Sequence, residues 1–284
     1  MKTIITALCL NFILFMQAQQ QVRISGRILD GNSGLPLSFV NVGFLNQGVG
    51  SVTDGEGNFE LSFSSKLLAE ETPLRISSVG YKPMELGVES VYSLRKQGSF
   101  ILMEPDEITL EPVFLSATKK GFERLGSSVY SKSEYGYWSD MDALGGELAT
   151  RISIGKKGSR LLDLSFNVLE NRSDSILIRV KVYKCKRNMP GDLVPDENIY
   201  HTIRKRKGVE SISLKPYNIK VDDDVVIGIE LVKAYGEEVY LAVSGSPYGG
   251  TAYIKERSFD GWDVRWKFGL AFGVLSSYPE PAQK

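Results

Sequence analysis

The sequence has very little histidine and cysteine, the side chains that serve most often as catalytic bases, nucleophiles and metal ligands. One histidine, His201, and two cysteines, Cys9 and Cys185, occur in 284 residues. Zinc peptidase sites need three protein ligands, usually with two histidines among them. A serine or cysteine triad needs a histidine base held by an orienting partner. Since one histidine supplies neither arrangement, we predict no catalytic residue, no metal site and no cofactor.

An excess of charge of one sign is also missing, because 34 Lys and Arg residues balance 34 Asp and Glu residues. No overall field then attracts nucleic acid or an anionic membrane, and we predict no nucleic-acid partner. The basic run at 204–207 is interpreted as a solvated hairpin tip, with His201 exposed at a turn beside it. The three aspartates at 222–224 are interpreted as a turn before a buried strand, with calcium binding as the minority alternative.

A long apolar run occurs only at the N-terminus. Lys2 precedes an apolar segment over residues 4–16, and the small Ala18 precedes three glutamines. This pattern predicts a secretory signal peptide over residues 1–18, and hence an exported protein. The segment is shorter than the roughly 20 residues of a transmembrane helix, and no comparable segment follows in the mature chain. Cleavage removes Cys9, which leaves Cys185 without a partner for an internal disulfide.

After residue 20, short alternating runs of apolar and polar residues recur with Gly, Asn, Asp and Pro between them. No long amphipathic helix is evident, so the pattern predicts an all-β protein built of sandwiches. About seven runs fall within residues 21–117, which suits one antiparallel sandwich. Residues 118–131 are polar and contain Gly and Ser, so we predict a linker there. Residues 132–278 hold about eight or more runs and are predicted to form a jelly-roll-like sandwich.

The alternation in the second block also predicts which strand faces are buried. Ile178 and Val180 lie on one face of a strand, and Arg179 and Lys181 lie on the other. Antiparallel strands commonly place one face on the core and leave the other solvated. We therefore expect the face with Arg179 and Lys181 to be the wetter one.

An acidic cluster in the stretch SVTDGEGNFELSF (51–63) has two possible meanings, a metal loop or a turn. A calcium loop needs more oxygen ligands over a longer spacing, with a bidentate acid at its end. A hairpin accounts for the residues better, because Gly55 and Gly57 can adopt positive φ and Asp54 can cap the turn. Phe59 then begins a buried strand.

The first block carries an ordered set of motifs: ISGRI (24–28), GLPL (34–37), VNV (40–42), GSVTD (50–54), GNFEL (57–61) and SVGY (78–81). In these motifs it resembles the carboxypeptidase-regulatory-like domain that is common in exported proteins of Bacteroidetes. The resemblance implies a seven-stranded transthyretin-like sandwich that acts as a structural module. The second block is similar to an uncharacterised β-sandwich region that follows this domain in other Bacteroidetes proteins, and that similarity implies no chemistry.

Aromatic residues are the remaining functional signal. Trp138 follows two tyrosines before the first strand of the second block, and Tyr248 and Trp262 lie near its end. Exposed flat rings suit stacking on sugar faces, and the competing interpretation is packing in a core or at a sheet edge. We take Trp138, Tyr248 and Trp262 as the candidate ligand-binding residues.

These patterns favour a non-enzymatic, exported cell-envelope protein that binds or scaffolds. We expect it in the periplasm or at the outer membrane, with an envelope protein or a glycan as its partner. One alternative is a carbohydrate-binding module protein or an accessory subunit of a polysaccharide-processing system. A cryptic hydrolase is the other, because a pair of carboxylates could be hidden among 34 acidic residues.

Overall fold

The computed structural model describes residues 21–96, 98–106 and 120–280. The described chain is nearly all-β, which confirms the predicted fold class. The predicted signal peptide (1–18) and the end of the predicted first block, including a strand expected near 113–115, lie outside the described residues. No described helix is long and apolar enough to cross a membrane.

Within residues 21–96 and 98–106, the first sandwich contains seven strands and two short helices. The strands form a three-stranded sheet A, in the order β4-β1-β7, and a four-stranded sheet B, in the order β3-β2-β5-β6. Only β1 and β7 pair in parallel. The bounds are β1 (Gln21–Asp30), β2 (Asn41–Phe44), β3 (Val49–Val52), β4 (Asn58–Ser64), α1 (Lys66–Ala69), β5 (Leu74–Ser77), β6 (Met84–Leu86), α2 (Val88–Ser93) and β7 (Phe100–Met103).

Alternation along these strands forms a single core between the two sheets. Ile24 and Leu61 from sheet A and Val42 and Ile76 from sheet B are at most 5% exposed and belong to the same hydrophobic cluster. The outward face of sheet B carries polar residues such as Asn41, Arg75 and Ser77 beside Gly43 and Gly50. This face meets the second sandwich.

The acidic cluster builds a turn, as predicted. The Asp54 carboxylate accepts hydrogen bonds from the backbone N–H groups of Glu56, at 2.9 Å, and Asn58, at 2.8 Å. Burial opposes ionisation of Asp54, but these hydrogen bonds outweigh it and lower its pKa. Gly57 has φ of +77°, and a Cβ there would lie 2.6 Å from the Ile28 carbonyl oxygen. The expectation of positive φ was right for Gly57 and wrong for Gly55.

The second sandwich contains two seven-stranded sheets. Sheet C has the order β13-β12-β17-β10-β19-β20, with β14 also paired to β12. Sheet D has the order β8-β21-β11-β18-β9, with β15 and β16 also paired to β11. The bounds are β8 (Lys120–Gly126), β9 (Tyr135–Trp138), β10 (Glu147–Ile152), β11 (Ser159–Asn171), β12 (Ser175–Lys186), β13 (Met189–Leu193), β14 (Ile199–Ile203), β15 (Gly208–Ser213), β16 (Lys220–Val221), β17 (Val225–Tyr235), β18 (Leu241–Ser244), β19 (Thr251–Lys255), β20 (Asp263–Trp266) and β21 (Gly273–Pro279), with short 3-10 turns at Met141–Ala143 and Lys215–Tyr217.

Successive strands cross repeatedly between sheets C and D, as in jelly-roll sandwiches. Ile178 and Ile229 from sheet C belong to one core cluster with Phe166 of β11 in sheet D and Phe272, which directly precedes β21. All four are 0% exposed. Apolar burial of this extent is the main stabilising contribution to a sandwich without a disulfide. Cys185, the one cysteine in the described residues, is a free, partly buried thiol.

The predicted linker at 118–131 is wrong over much of its length. Lys120–Gly126 forms β8, which pairs antiparallel with β21 from Gly126 opposite Gly273 to Lys120 opposite Pro279. The segment is polar because β8 is an edge strand, and polar residues on an edge discourage pairing with other chains. Its glycines also suggested flexibility, but a Cβ at Gly121 would lie 2.4 Å from the Tyr278 ring. That glycine therefore permits close packing.

We predict that Phe59→Ala destabilises the first sandwich by about 3–5 kcal/mol, as a large-to-small change in a core. Phe59 is 5% exposed and belongs to the core cluster. Asp54→Ala should cost only about 1 kcal/mol, because it removes one side-chain cap. Denaturant unfolding followed by circular dichroism measures both. A larger loss for Asp54→Ala than for Phe59→Ala would contradict this ranking.

Candidate functional site

A row of charged side chains crosses the outer face of sheet C. Arg179 on β12 lies opposite Glu230 on β17, which lies opposite Glu147 on β10, which lies opposite Lys255 on β19. Arg179 Nε lies 2.6 Å from Glu230 Oε2, and Lys255 Nζ lies 2.9 Å from Glu147 Oε1. The two central residues are both acidic, and like charges directly opposite each other in a sheet are destabilising.

Lys181 compensates the two opposed glutamates. It lies opposite Gly228 of β17, where no side chain obstructs it. Its Nζ is 3.0 Å from Glu147 Oε1 and 3.2 Å from Glu230 Oε2, so one ammonium bridges both carboxylates. We call these five residues, Arg179, Glu230, Lys181, Glu147 and Lys255, the charge network.

The charge network is buried. The expectation that the strand face with Arg179 and Lys181 is the wetter one is therefore wrong. Glu147 is 1% exposed and Glu230 is 0% exposed. Burial alone would raise the pKa of Glu147, but the charges of Lys181 and Lys255 and a hydrogen bond from Tyr183 outweigh it. The pKa of Glu147 is therefore well below its usual range. Burial, with the adjacent carboxylate charge of Glu147, raises the pKa of Tyr183 well above its ordinary value.

The first sandwich closes one end of the charge network. Asn41, on the outward face of sheet B, donates from Nδ2 to Glu230 Oε1 and accepts from Arg179 Nη2, each at 2.9 Å. Asn198 accepts from Arg179 Nη1 at 3.0 Å. Burial disfavours the charged guanidinium, but the Glu230 carboxylate outweighs it and the pKa of Arg179 is raised. One amide of the first sandwich thus contacts both members of a buried ion pair in the second.

A second contact between the sandwiches involves the loop after β19. The Asn46 N–H donates to the Phe259 carbonyl oxygen at 2.9 Å. The Gly48 N–H donates to Asp260 Oδ1 at 2.9 Å, and Arg257 Nη1 donates to the Gly48 carbonyl oxygen at 2.6 Å. These bonds give hydrogen-bond partners to backbone groups of the turn between β2 and β3.

Two further features bring the sandwiches into close contact. A Cβ at Gly50 would lie 2.2 Å from the Ser258 carbonyl oxygen, so a larger residue there would force the loop away. The rings of Phe39 and Tyr200 meet edge to face, with centroids 5.5 Å apart. The two sandwiches are therefore joined by a specific, largely polar interface.

The three predicted ligand-binding residues lie in three different environments. Trp138 is 4% exposed and belongs to the core of the second sandwich. Trp262 lies on the outer side of sheet C, edge-on to Tyr183 and Tyr253, with Lys255 Nζ 4.1 Å from its ring centroid. Tyr248 is 79% exposed and lies between β18 and β19.

Trp138 and Trp262 are placed as the packing interpretation expects. A ring as buried as Trp138 offers no open face to a sugar. It does line a cleft of about 320 Å³, and its buried Nε1 makes no hydrogen bond within the described chain. Trp262 packs beside the charge network, where its ring face is turned toward a cation. The packing interpretation therefore describes Trp138 and Trp262 better.

The two tyrosines that precede Trp138 were noted in the sequence but not chosen as candidates, and they belong to an exposed set of tyrosines on sheet D. Tyr135 and Tyr137 of the edge strand β9 are 43% and 54% exposed, with ring centroids 5.9 Å apart. The Tyr137 ring stacks on Tyr240 at 6.2 Å, and Arg172 Cζ lies 4.4 Å from the Tyr240 centroid. We call Tyr135, Tyr137 and Tyr240 the tyrosine ladder. The alternation of β9 was the available signal, since it turns both β9 tyrosines outward and Trp138 inward.

His201 and the basic run are integrated into the fold. His201 lies within β14, and its Nε2 is 3.1 Å from Glu210 Oε2. The prediction that His201 is exposed at a turn is therefore wrong. The run at 204–207 connects a strand of sheet C to a strand of sheet D and is not a simple hairpin tip. Arg206 Nη1 donates to the carbonyl oxygens of Arg172 and Ser173, at 2.7 and 2.8 Å.

The aspartates at 222–224 serve as turn and ion-pair residues. Asp222 accepts from the Gly158 N–H at 2.8 Å. Asp224 accepts from the Ile154 N–H at 2.9 Å and pairs with Arg151 at 2.6 Å. Within the part of the chain that the structure describes, no three His, Cys, Asp or Glu side chains group as metal ligands.

Comparison with known proteins identifies the first sandwich. Residues 24–115 match the family model for a CarboxypepD_reg-like domain, which supports the resemblance of the first block. The match covers the first sandwich and not the second. No curated protein matches the chain.

Solved structures show only a distant likeness. The cysteine protease and lectin-like domains of Cwp84, a surface layer associated protein of Clostridium difficile, are 8% identical with a TM-score of 0.38, over 85% of this chain and 59% of that chain. The clostridial cysteine protease Cwp84 after propeptide cleavage is 9% identical with a TM-score of 0.38. The match covers 92% of this chain and 72% of that chain. The infectious bursal disease virus VP2 subviral particle is 10% identical with a TM-score of 0.28. The match covers 92% of this chain and 65% of that chain.

We predict that Lys181→Met lowers the unfolding free energy by about 3–5 kcal/mol, because it leaves two buried carboxylates facing each other. Lys186→Met is the matched control. Lys186 lies on β12, like Lys181, and pairs with Asp192 of β13, but its side chain is 62% exposed. It should cost less than about 1 kcal/mol. Adding Glu147→Gln to Lys181→Met should restore part of the loss. Equal costs for the two lysine variants would contradict the bridging role.

The lowered pKa of Glu147 predicts how stability changes with pH. A carboxyl group whose pKa is lower in the folded state stabilises above its unfolded pKa, about 4.3 for Glu. That contribution is lost as the pH falls through the folded-state value. Unfolding free energies measured from neutral to acidic pH should therefore fall more steeply for the wild type than for Glu147→Gln. Parallel curves would show that Glu147 has no lowered pKa.

Proposed function

We propose that the protein is a non-enzymatic, exported cell-envelope protein that binds or scaffolds other envelope components. One observation carries the proposal: a network of opposite charges is buried between the sandwiches, where it fixes their relative orientation. A fixed pair of sandwiches can present two surfaces at a constant separation, as a scaffold requires. The N-terminal pattern at 1–18 supports export.

The state of the two central glutamates supports a non-enzymatic role. A glycosidase uses two carboxyl groups across an open cleft, and one of them has a raised pKa so that it can donate a proton. Glu147 is instead 1% exposed with a lowered pKa, and both Glu147 and Glu230 are bound by cations. Glu147 and Glu230 therefore do not suit the catalytic carboxylate pair that the cryptic-hydrolase alternative requires.

Glycan recognition is the second candidate function, and the tyrosine ladder favours it. Exposed tyrosine rings offer apolar faces together with polar hydroxyl groups. Arg172 beside Tyr240 is held by Glu170 at 3.0 Å and by Glu238 at 3.1 Å, which adds polar groups next to the rings. A stacking platform flanked by charged side chains suits a sugar polymer better than it suits a purely apolar partner.

We expect purified protein to show no turnover of peptide or glycoside substrates and to be found in the cell-envelope fraction. Turnover that disappears on substitution of a single acidic residue would overturn the non-enzymatic proposal. A cytosolic location with residues 1–18 retained would overturn the envelope assignment.

A glycan array on the same protein separates the two binding modes. If the tyrosine ladder reads glycans, Tyr137→Ala should abolish sugar binding. The exposed Tyr92→Ala variant, in the first sandwich, should leave it unchanged. An array without any bound glycan would favour a protein partner. If Tyr137→Ala and Tyr92→Ala lose sugar binding to the same extent, the tyrosine ladder is not the glycan-binding site.

A further inference from the structure

A cleft of about 220 Å³ lies where the two sandwiches meet beside the charge network. It lies between Asn41, Arg75 and the serine hydroxyls of Ser77 and Ser78 in the first sandwich, and Arg179 and Lys181 in the second. Its volume is below the roughly 300–1,000 Å³ of sites for drug-sized ligands. A ligand that fits it is therefore small.

The charge around this cleft is positive. Three cations line it, and none of the described residues lining it is acidic. Arg75 is paired outside the cleft with Glu85, at 2.7 Å. The charge network behind the cleft has three cations against two carboxylates, which leaves one positive charge in excess.

Buried positive charge in excess is costly unless an opposite charge compensates it. Arg179 is 2% exposed and Lys181 is 7% exposed. An ammonium has three donors, and two of those of Lys181 point to Glu147 and Glu230, so one donor remains. Arg75 uses one N–H group for Glu85 out of the five on a guanidinium. The cleft thus combines positive charge with hydrogen-bond donors.

We propose that this interdomain cleft binds a small oxyanion, a carboxylate, phosphate or sulfate group, between the two sandwiches. Guanidinium and ammonium groups form their strongest hydrogen bonds with these oxygens. Arg75 and the serine hydroxyls contact the anion from the first sandwich, and Lys181 contacts it from the second. The anion therefore strengthens the interface as well as neutralising the excess charge.

Calorimetric titration of the purified protein with inorganic phosphate, sulfate and D-glucuronate tests the proposal. Sodium chloride keeps the ionic strength constant. At least one of the three oxyanions should bind saturably, and the same anion should raise the melting temperature more than chloride does. Comparison of the three probes distinguishes a free inorganic anion from the carboxylate of an acidic sugar.

Arg75→Gln should weaken that binding by about tenfold or more, because it removes a charged hydrogen-bond donor. Arg23→Gln is the matched control, since Arg23 pairs with Glu60 in the same sandwich but is 71% exposed and lies outside the cleft. It should leave the affinity unchanged. Sulfate and phosphate also stabilise proteins by exclusion from their surface, but that effect does not saturate.

Either of two results would overturn the proposal: no saturable binding of any of the three oxyanions, or equal weakening by Arg75→Gln and Arg23→Gln. Ser77→Ala provides a second variant if Arg75→Gln folds poorly, and it should also weaken binding. Failure of the anion proposal would leave the scaffolding proposal standing, because the ion pairs and the Asn41 hydrogen bonds of the charge network are formed without an anion. It would also leave the glycan candidate standing, because the tyrosine ladder lies on sheet D.

Discussion

The interaction of Lys181 with two opposed glutamates is the constraint on which much of the molecule depends. Glu147 and Glu230 lie directly opposite each other on neighbouring strands, and both are removed from water. Two adjacent carboxylates cannot remain ionised in such a place unless cations and hydrogen bonds compensate them. Lys181 supplies this compensation because Gly228, opposite it, leaves room for the lysine chain.

The same constraint explains how the first sandwich is positioned. Covering an apolar sheet face would tolerate many orientations, whereas a buried ion pair needs a hydrogen-bonding group at defined atoms. Asn41 meets this need with both ends of its amide. The glycine at position 50, in contact distance of the Ser258 backbone, sets the separation at the second contact. A polar interface of this kind favours one orientation of the two sandwiches.

Function then concerns the surfaces that the interface leaves open. Inside the interface, Arg179, Lys181 and Lys255 bind both carboxylates, which are removed from solvent. Outside it, sheet D carries the tyrosine ladder, and the junction of the sandwiches carries the positive cleft. We propose both as recognition surfaces.

The sequence by itself determined the all-β class, the turn at Asp54 and the core-facing positions of strands such as β12 and β17. These features follow from local alternation and turn chemistry, which act over a few residues. The tertiary structure alone decided that Arg179 and Lys181 are buried. Arg179 is covered by Asn41, more than a hundred residues earlier, and Lys181 binds Glu147 and Glu230 on two other strands. It also decided that Lys120–Gly126 is an edge strand, because its partner β21 is near the other end of the chain. Long-range pairing and charge compensation leave no local pattern, and so the interface, the cleft and the stacking of Tyr137 on Tyr240 could be found only in the fold.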